Sequence, residues 1–113
     1  MELWEILVPT VSNEGKPFKT RYHKVWDRKV YEITRGLTIF QPVKGKWVSP
    51  DNKLFSERMI PVRIGATREQ MEAIIDMTAK YYGQEAVLAY QISNLVILKH
   101  FNEQNKTTTN RKG

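Results

Sequence analysis

The chain has 113 residues, no cysteine and a formal net charge of +6. Hydrophobic residues make up 41% and charged residues 27%, which excludes a disordered or collagen-like chain and is ordinary for one soluble globular domain. The lack of cysteine excludes disulfides, thiol nucleophiles and cysteine metal sites. The acidic start Met1–Glu5 and the absence of an apolar run of about 20 residues argue against a signal peptide and a membrane span, so we expect a cytoplasmic protein.

The first half of the chain predicts a strand, a helix and a second strand. Residues 3–11 are rich in β-forming residues, and from Thr20 to about Arg35 the apolar residues recur at helical spacing. Residues 37–40 form a short apolar run typical of a strand. Residues 41–54 are polar and contain two prolines and a glycine, which predicts a hairpin arm that carries Trp47.

The second half predicts a strand, a helix and a further β region. Residues 56–64 alternate between polar and aliphatic side chains, as a half-buried strand does. Thr67 followed by Gln70 is a capping box that begins a helix. Residues 86–92 and 95–101 are two β-rich runs, which we interpret as a tight hairpin or as one longer kinked strand.

The order strand, helix, strand, strand, helix, strand is that of the ferredoxin-like split βαβ arrangement. We therefore predict an α+β domain over residues 1–101, with an antiparallel sheet, both helices on one face and 95–101 as an extra C-terminal strand if the last two runs are separate. The polar residues 102–113 are expected to be a disordered tail. Pro61 conflicts with a central position of its strand, because proline lacks the backbone N–H, so the strand must bulge there or be less central.

The sheet face that the helices leave bare holds the candidate site. If Ile60, Val62 and Ile64 point into the core, the residues on the opposite face are Glu57, Met59, Pro61 and Arg63. A face that is half apolar and half charged favours self-association, with a pocket where subunits meet. Glu57 is the main candidate, because a carboxylate there could bind a cationic group of a ligand. The alternative is a cross-strand or intersubunit salt bridge from Glu57 to Arg58 or Arg63.

Three further features add to this face. Glu5 provides a second carboxylate from the first strand, and Tyr90 lies on a strand near the proposed pocket. Trp47 either packs back on the domain or stacks on a planar ligand such as a nucleobase. Residues 16–35 carry seven cations against two acids, which indicates either a solvated helix face or a surface that attracts anions.

Several classes of function lack their signature. His23 and His100 have no second ligand at suitable spacing, so we expect no metal site, and no dinucleotide, phosphate-loop or nucleophile-elbow motif indicates a cofactor or a hydrolase. RNA-recognition domains share the strand order, but they stack bases on aromatic residues of the first and third strands. Residues 57–64 contain no aromatic side chain, which argues against a nucleic-acid partner.

Over residues 26–101 the chain is similar to a family of small bacterial ferredoxin-like domains of unknown function. The residues that carry this resemblance are Trp26, Ile33, Gly36-Leu37-Thr38, Gly45-Lys46-Trp47, Glu57 and Gln84-Glu85-Ala86-Val87-Leu88. This resemblance implies the fold and no activity.

More loosely, the chain resembles the bacteriophage S-adenosylmethionine lyases. The shared residues are Ile6-Leu7-Val8, Gly36-Leu37, Glu57, Val62-Arg63, Gln84, Val87-Leu88 and Tyr90. The resemblance implies a small trimer with active sites between subunits and a catalytic glutamate at Glu57. It also implies a reaction in which the substrate's own carboxylate displaces methylthioadenosine and forms homoserine lactone. The lyases' loop tyrosine falls near Trp47, which lacks a hydroxyl but can stack on adenine.

These observations predict a small phage-type homo-oligomer, a trimer, with an adenosyl or nucleotide-like ligand bound between subunits. Glu57 is the predicted catalytic residue, and Trp47, Tyr90, Arg63 and Glu5 are the predicted ligand-binding residues. One expectation is S-adenosylmethionine lyase activity without a cofactor. The alternatives are a counter-defence protein that sequesters a signalling nucleotide without catalysis, and a purely structural or protein-binding oligomer.

Overall fold

The structure is a computed structural model that describes residues 1–101, so the predicted tail at 102–113 lies outside the described residues. Its elements are β1 (Glu2–Pro9), α1 (Thr20–Thr34), β2 (Thr38–Ile39), β3 (Val43–Val48), β4 (Leu54–Ala66), α2 (Arg68–Tyr82) and β5 (Ala89–Ser93). The strands form one antiparallel sheet in the order β2, β4, β1, β5, with β3 also paired to β4. Because β2 and β3 follow each other along one edge of β4, they act as a single interrupted strand, and the predicted element order holds.

The core lies between one face of the sheet and the two helices. Alternation along β1 and β4 points one set of side chains toward the helices, as the sequence predicts. The buried apolar residues of the sheet are Trp4, Ile6, Val8, Val62, Ile64 and Ala66. The helices add Trp26, Val30, Met71, Ile74 and Tyr82 to the same cluster. Both helices therefore cover one face, and no helix of residues 1–101 covers the opposite face of the sheet.

The two helices are joined by hydrogen bonds as well as by packing. The indole Nε1 of Trp26 donates to Thr78 Oγ1 at 2.9 Å, and that hydroxyl donates to the carbonyl oxygen of Ile74 at 2.6 Å. The rings of Tyr22 and Tyr81 stack with centroids 4.1 Å apart, and each hydroxyl donates to the other residue's carbonyl oxygen. These contacts satisfy the buried polar atoms and fix the position of α1 on the sheet.

The helix ends follow the sequence signals closely. Thr67 and Gln70 form the predicted capping box at the start of α2, with each side chain bonded to the other residue's backbone N–H. Gly83 ends α2 in the left-handed region at φ 65°. At the end of α1 the left-handed residue is Arg35, at φ 72°, one position before the expected Gly36.

The conflict at Pro61 is resolved by a break in the neighbouring strand. Pro61 pairs with Leu7 of β1, and its carbonyl oxygen accepts from the N–H of Phe40, so its nitrogen faces the same side as Phe40. This is where residues 40–42 cross from β2 to β3, with one residue more than the facing stretch of β4. A proline therefore removes a donor only where the ladder is already interrupted by a bulge.

The C-terminal segment departs from the prediction. Strand β5 covers Ala89–Ser93, but residues 95–101 form no strand, so the second arm of the predicted hairpin is wrong for the isolated chain. Ser93 pairs with Leu3, near the start of β1, so few residues of β1 remain to pair with a longer β5. The other edge of β5 has no strand beside it within residues 1–101. The apolar side chains of this segment are exposed, namely Leu95, Ile97, Leu98 and Phe101. Within residues 1–101, neither helix has the length and apolar character needed to cross a membrane.

Candidate functional site

A two-stranded hairpin projects from the sheet and carries the first half of the site. It consists of β3 and the first part of β4, and we call residues 43–59 the arm. The pairing of β1 with β4 ends at Pro9 and Met59, and Thr10 Oγ1 donates to the carbonyl oxygen of Arg58, so in the described chain the other edge of β4 from Leu54 to Glu57 has no strand partner. The arm contributes to the elongated shape, which measures 59 × 30 × 22 Å.

One face of the arm brings an indole and a carboxylate together. Trp47 pairs with Phe55 across the hairpin, and their rings stack with centroids 4.6 Å apart and planes 16° apart. The indole Nε1 of Trp47 donates to Glu57 Oε2 at 3.0 Å. Trp47 is 47% exposed and Glu57 is also exposed, so both groups remain accessible. We call this pair the Trp47–Glu57 site.

A glycine keeps the Trp47–Glu57 site open. Gly45 is the cross-strand partner of Glu57, so it lies on the same face and presents no side chain beside the carboxylate. A Cβ at this position would meet only the carbonyl oxygen of Glu57, at 4.0 Å. Packing within the subunit therefore does not require glycine here, and a Cβ beside Glu57 would clash with nothing.

A second cluster lies on the bare face of the sheet. Arg63 Nε donates to Glu5 Oε1 at 3.0 Å, and the hydroxyl of Tyr90 donates to the other carboxylate oxygen. The guanidinium carbon of Arg63 lies 4.8 Å from the centre of the Phe40 ring. Glu5 is only 8% exposed, while the Arg63 side chain is 43% exposed. We call Glu5, Arg63 and Tyr90 the sheet-face cluster.

The electrostatics of the sheet-face cluster keep Glu5 ionised. Burial alone would raise the pKa of the Glu5 carboxyl, but the hydrogen bonds from Tyr90 and Arg63 and the charge of Arg63 outweigh burial and lower that pKa. The bond to Glu5, together with desolvation, raises the pKa of the Tyr90 hydroxyl. Because both oxygens of Glu5 are occupied, this carboxylate positions Arg63 and is poorly suited to act as a base.

The structure divides the predicted site residues into these two groups. Glu57 and Arg63 lie six residues apart on β4, which is about 20 Å along an extended strand. They do not meet within one chain, because Arg63 pairs with Glu5 and Glu57 accepts from Trp47. The predicted alternative of a Glu57–Arg63 salt bridge is therefore wrong within a subunit, and an intersubunit bridge stays a prediction. Phe55 and Phe40 were missed, although a correct hairpin register would have placed Phe55 opposite Trp47.

Residues 1–101 contain no cluster of side chains that could form a metal centre. Within that range no three histidine, aspartate or glutamate side chains come close enough together to hold an ion. His23 instead bonds through Nδ1 to the hydroxyl of Tyr82, at 2.7 Å, and burial lowers its pKa. The Trp47–Glu57 site and the sheet-face cluster offer a ligand hydrogen bonds, charges and aromatic surface.

No family model matches the chain, and no curated protein matches its sequence. Among solved structures, it is similar to the periplasmic divalent cation tolerance protein CutA from Archaeoglobus fulgidus, with a TM-score of 0.59 and 9% identity over 97% of this chain and 95% of that one. The divalent cation tolerance protein Cut A1 from Thermus thermophilus gives a TM-score of 0.60 and 7% identity over 94% and 91%. A phage SAM lyase in complex with S-methyl-5'-thioadenosine gives 0.56 and 14% over 80% and 88%. At these identities the similarity shows the fold, and it confirms the predicted α+β ferredoxin-like architecture.

Proposed function

We propose that the chain forms a homo-oligomer, a trimer, that binds an adenosyl or nucleotide-like ligand where the arm of one subunit meets a neighbouring subunit. The observation that supports this most directly is the Trp47–Glu57 site, a stacking surface and a carboxylate on an arm that its own subunit does not cover. A single chain provides only one wall of such a binding site. A second copy would supply the other wall and exclude water from the ligand.

Exposed apolar residues support the assembly. At the tip of the arm Val48 and Leu54 pair across the strands and are both largely exposed, and so is the segment 95–101. The unpaired edge of β4 in the arm also offers backbone N–H and C=O groups to another strand. Apolar surface of this extent beside a free strand edge is typical of a protein–protein interface.

Replacing Val48 with lysine is expected to dissociate the oligomer, because a charge would be buried at the tip of the arm. Val11→Lys is the matched control, since it makes the same change at an exposed valine outside the arm. Light scattering coupled to size exclusion should give the mass of one subunit for Val48→Lys and the oligomer mass for the control. Equal masses for wild type and Val48→Lys would contradict an interface at the arm.

The first candidate activity is cleavage of S-adenosylmethionine. The carboxylate oxygen of the substrate attacks its own γ-carbon, the carbon–sulfur bond breaks, and its electron pair returns to the sulfonium sulfur, which gives homoserine lactone and neutral methylthioadenosine. No external proton or nucleophile is consumed, so the protein has only to orient the substrate and place charge. Trp47 would stack on the adenine, and Glu57 would hold the cationic end of the substrate.

Incubation with S-adenosylmethionine tests this activity directly. We expect chromatography to show methylthioadenosine for the wild type, and we expect Glu57→Gln to lower the rate by at least about 100-fold, since the contact that would orient the substrate through its cationic end is lost. Glu69→Gln, at an exposed glutamate of α2, is the matched control and should keep the wild-type rate.

A second variant separates loss of access from loss of folding. Gly45→Val places a side chain beside Glu57 in a position where nothing clashes, and valine favours a strand. It should keep the melting temperature and abolish turnover. Absence of product from stoichiometric wild-type protein would exclude the lyase.

The second candidate is sequestration of an anionic signalling nucleotide without catalysis. It is favoured by the net charge of +6 and by Arg63. Glu5 holds the guanidinium of Arg63 in place, and the Arg63 side chain is still 43% exposed. Here Glu57→Gln should leave binding intact or strengthen it, whereas it would stop a lyase. A purely structural oligomer would bind neither ligand. A cytoplasmic location and a phage origin stay predictions.

A further inference from the structure

The outer face of α1 carries a row of cations. Arg21, Lys24 and Arg28 recur at intervals of three and four residues, so they lie on one side of the helix. Trp26 and Val30 are buried on the opposite side, which directs the row toward solvent. All three cations are exposed, and we call them the basic face of α1.

The basic face has little local compensation. The ion pairs found within residues 1–101 are Lys53–Asp51, Arg63–Glu5 and Arg68–Glu72, and none involves α1. Asp27 is half-buried on the side of the helix toward His23; burial raises its pKa, and the charges of His23 and Lys24 oppose that rise. Glu32 follows Arg28 by one turn without forming a salt bridge. The positive potential of this face is therefore open to a partner.

Arg21 also stands at the unfavourable end of the helix, in its first turn. Lys19 occupies the N-cap without a side-chain hydrogen bond, the first turn has no acid, and the last turn has no base. The N-terminus of a helix carries partial positive charge, so cations there destabilise the helix and acids would stabilise it. By contrast, α2 has Glu69 in its first turn and Lys80 in its last. The chain thus places charges favourably on one helix and unfavourably on the other.

We propose that the basic face of α1 binds the phosphate backbone of a nucleic-acid duplex, independently of any ligand at the arm. Arg21 and Arg28 are seven residues apart, about 10 Å along the helix axis. That length faces roughly three phosphates of one strand. The missing aromatic platform on the sheet argues against reading of bases, whereas backbone contacts need only a row of cations.

A membrane surface is a poorer fit to the same face. A helix that lies on a bilayer inserts its apolar side among the lipids. The apolar side of α1 is occupied by the core, where Trp26 is 1% and Val30 0% exposed. A duplex needs no such insertion.

Fluorescence anisotropy with a labelled 20-base-pair DNA tests the proposal. We expect binding whose affinity falls about 40-fold between about 50 and 200 mM salt if three phosphates are contacted. Arg21→Glu with Arg28→Glu should weaken binding by at least about tenfold, since two of three contacts become repulsive. Lys46→Glu with Lys53→Glu changes the net charge equally on the arm, away from α1, and should bind nearly as the wild type does.

A stability measurement accompanies the binding assay. Because an acid suits the first turn of a helix, Arg21→Glu alone should melt at a higher temperature than the wild type although it binds less, which a merely structural role of Arg21 would not produce. Arg21→Gln with Arg28→Gln serves as a milder pair if reversal disturbs folding. Equal weakening by the arm variant, no binding at about 50 mM salt, or binding to anionic lipid vesicles in preference to DNA would each overturn the proposal.

Discussion

Replacing Trp26 with alanine is expected to lower the free energy of unfolding by about 3–5 kcal/mol. The indole is 1% exposed, contacts both α2 and the sheet core, and donates to Thr78 Oγ1. Its removal leaves a large cavity and takes a hydrogen bond away from a buried hydroxyl. A domain of this size is stable by about 5–15 kcal/mol in total, so the variant should be close to unfolding at room temperature.

Trp47→Ala is the matched control, because it removes the same side chain from an exposed position on the arm. It should cost no more than about 1 kcal/mol, the value of one cross-strand aromatic pair with Phe55. Urea unfolding measures both variants, at one fixed protein concentration, since an oligomer gains apparent stability by mass action. A larger loss of unfolding free energy for Trp47→Ala than for Trp26→Ala would contradict the position of Trp26 in the core and would show that the arm contributes more to stability.

Most of the fold follows from local patterns. The capping box at Thr67, the glycine at the end of α2 and the alternation of β1 are each decided by the nearest few residues, and the structure agrees with all three. Because the strands alternate, the sheet has one apolar face, and the apolar stripes of both helices pack on that face. That arrangement identifies the bare face without knowledge of the register.

The errors arise where pairing, and not local pattern, decides the structure. Whether residues 95–101 form a strand depends on whether they pair with the outer edge of β5, the last strand of the sheet. The bulge at residues 40–42 likewise depends on which residues of β4 stand opposite. Neither fact can be derived from composition, so the extra strand was left open and the conflict at Pro61 was recognised but not resolved.

The sequence predicts on which face of β4 the candidate site residues lie, but it does not predict which side chains they contact. Glu57 and Arg63 were correctly assigned to one face of β4, but a period of two does not say how far apart two residues lie along that face. The pairing of Arg63 with Glu5 depends on the register of β1 against β4, which places these two residues directly opposite each other. The contact of Trp47 with Glu57 depends in the same way on the hairpin.

Replacing Glu5 with glutamine is expected to lower the free energy of unfolding by about 1–3 kcal/mol at neutral pH. The carboxylate is 8% exposed and accepts from both Arg63 and Tyr90, so the amide that replaces it turns one acceptor into a donor facing a donor. Fully buried ion pairs lose more when one partner is removed. The exposed side of Arg63 allows water to solvate the remaining charge, which limits the cost.

Glu5→Gln should change the pH dependence of stability at both acidic and alkaline pH. The folded pKa of Glu5 is below its ordinary value of 4.5, so its contribution is present above that value and is lost as the pH falls through the lower folded pKa. The pKa of Tyr90 is raised above 10.0, so its contribution is present below that value and is lost as the pH rises through the higher folded pKa. Glu5→Gln removes the loss of stability at acidic pH. It also removes the carboxylate that raises the pKa of Tyr90.

Two further variants identify the source of these changes. Tyr90→Phe should remove the alkaline loss of stability and also reduce the acidic one, because the Tyr90 hydrogen bond does most to lower the pKa of Glu5 and only Arg63 still lowers it. Glu72→Gln breaks the exposed pair with Arg68 and should cost no more than about 0.5 kcal/mol. If Glu5→Gln cost as little as Glu72→Gln and left the acid side unchanged, Glu5 would be solvated in the folded protein. Its carboxylate would then be free for a ligand, and Arg63 would lose the anchor that holds its guanidinium toward the bare face.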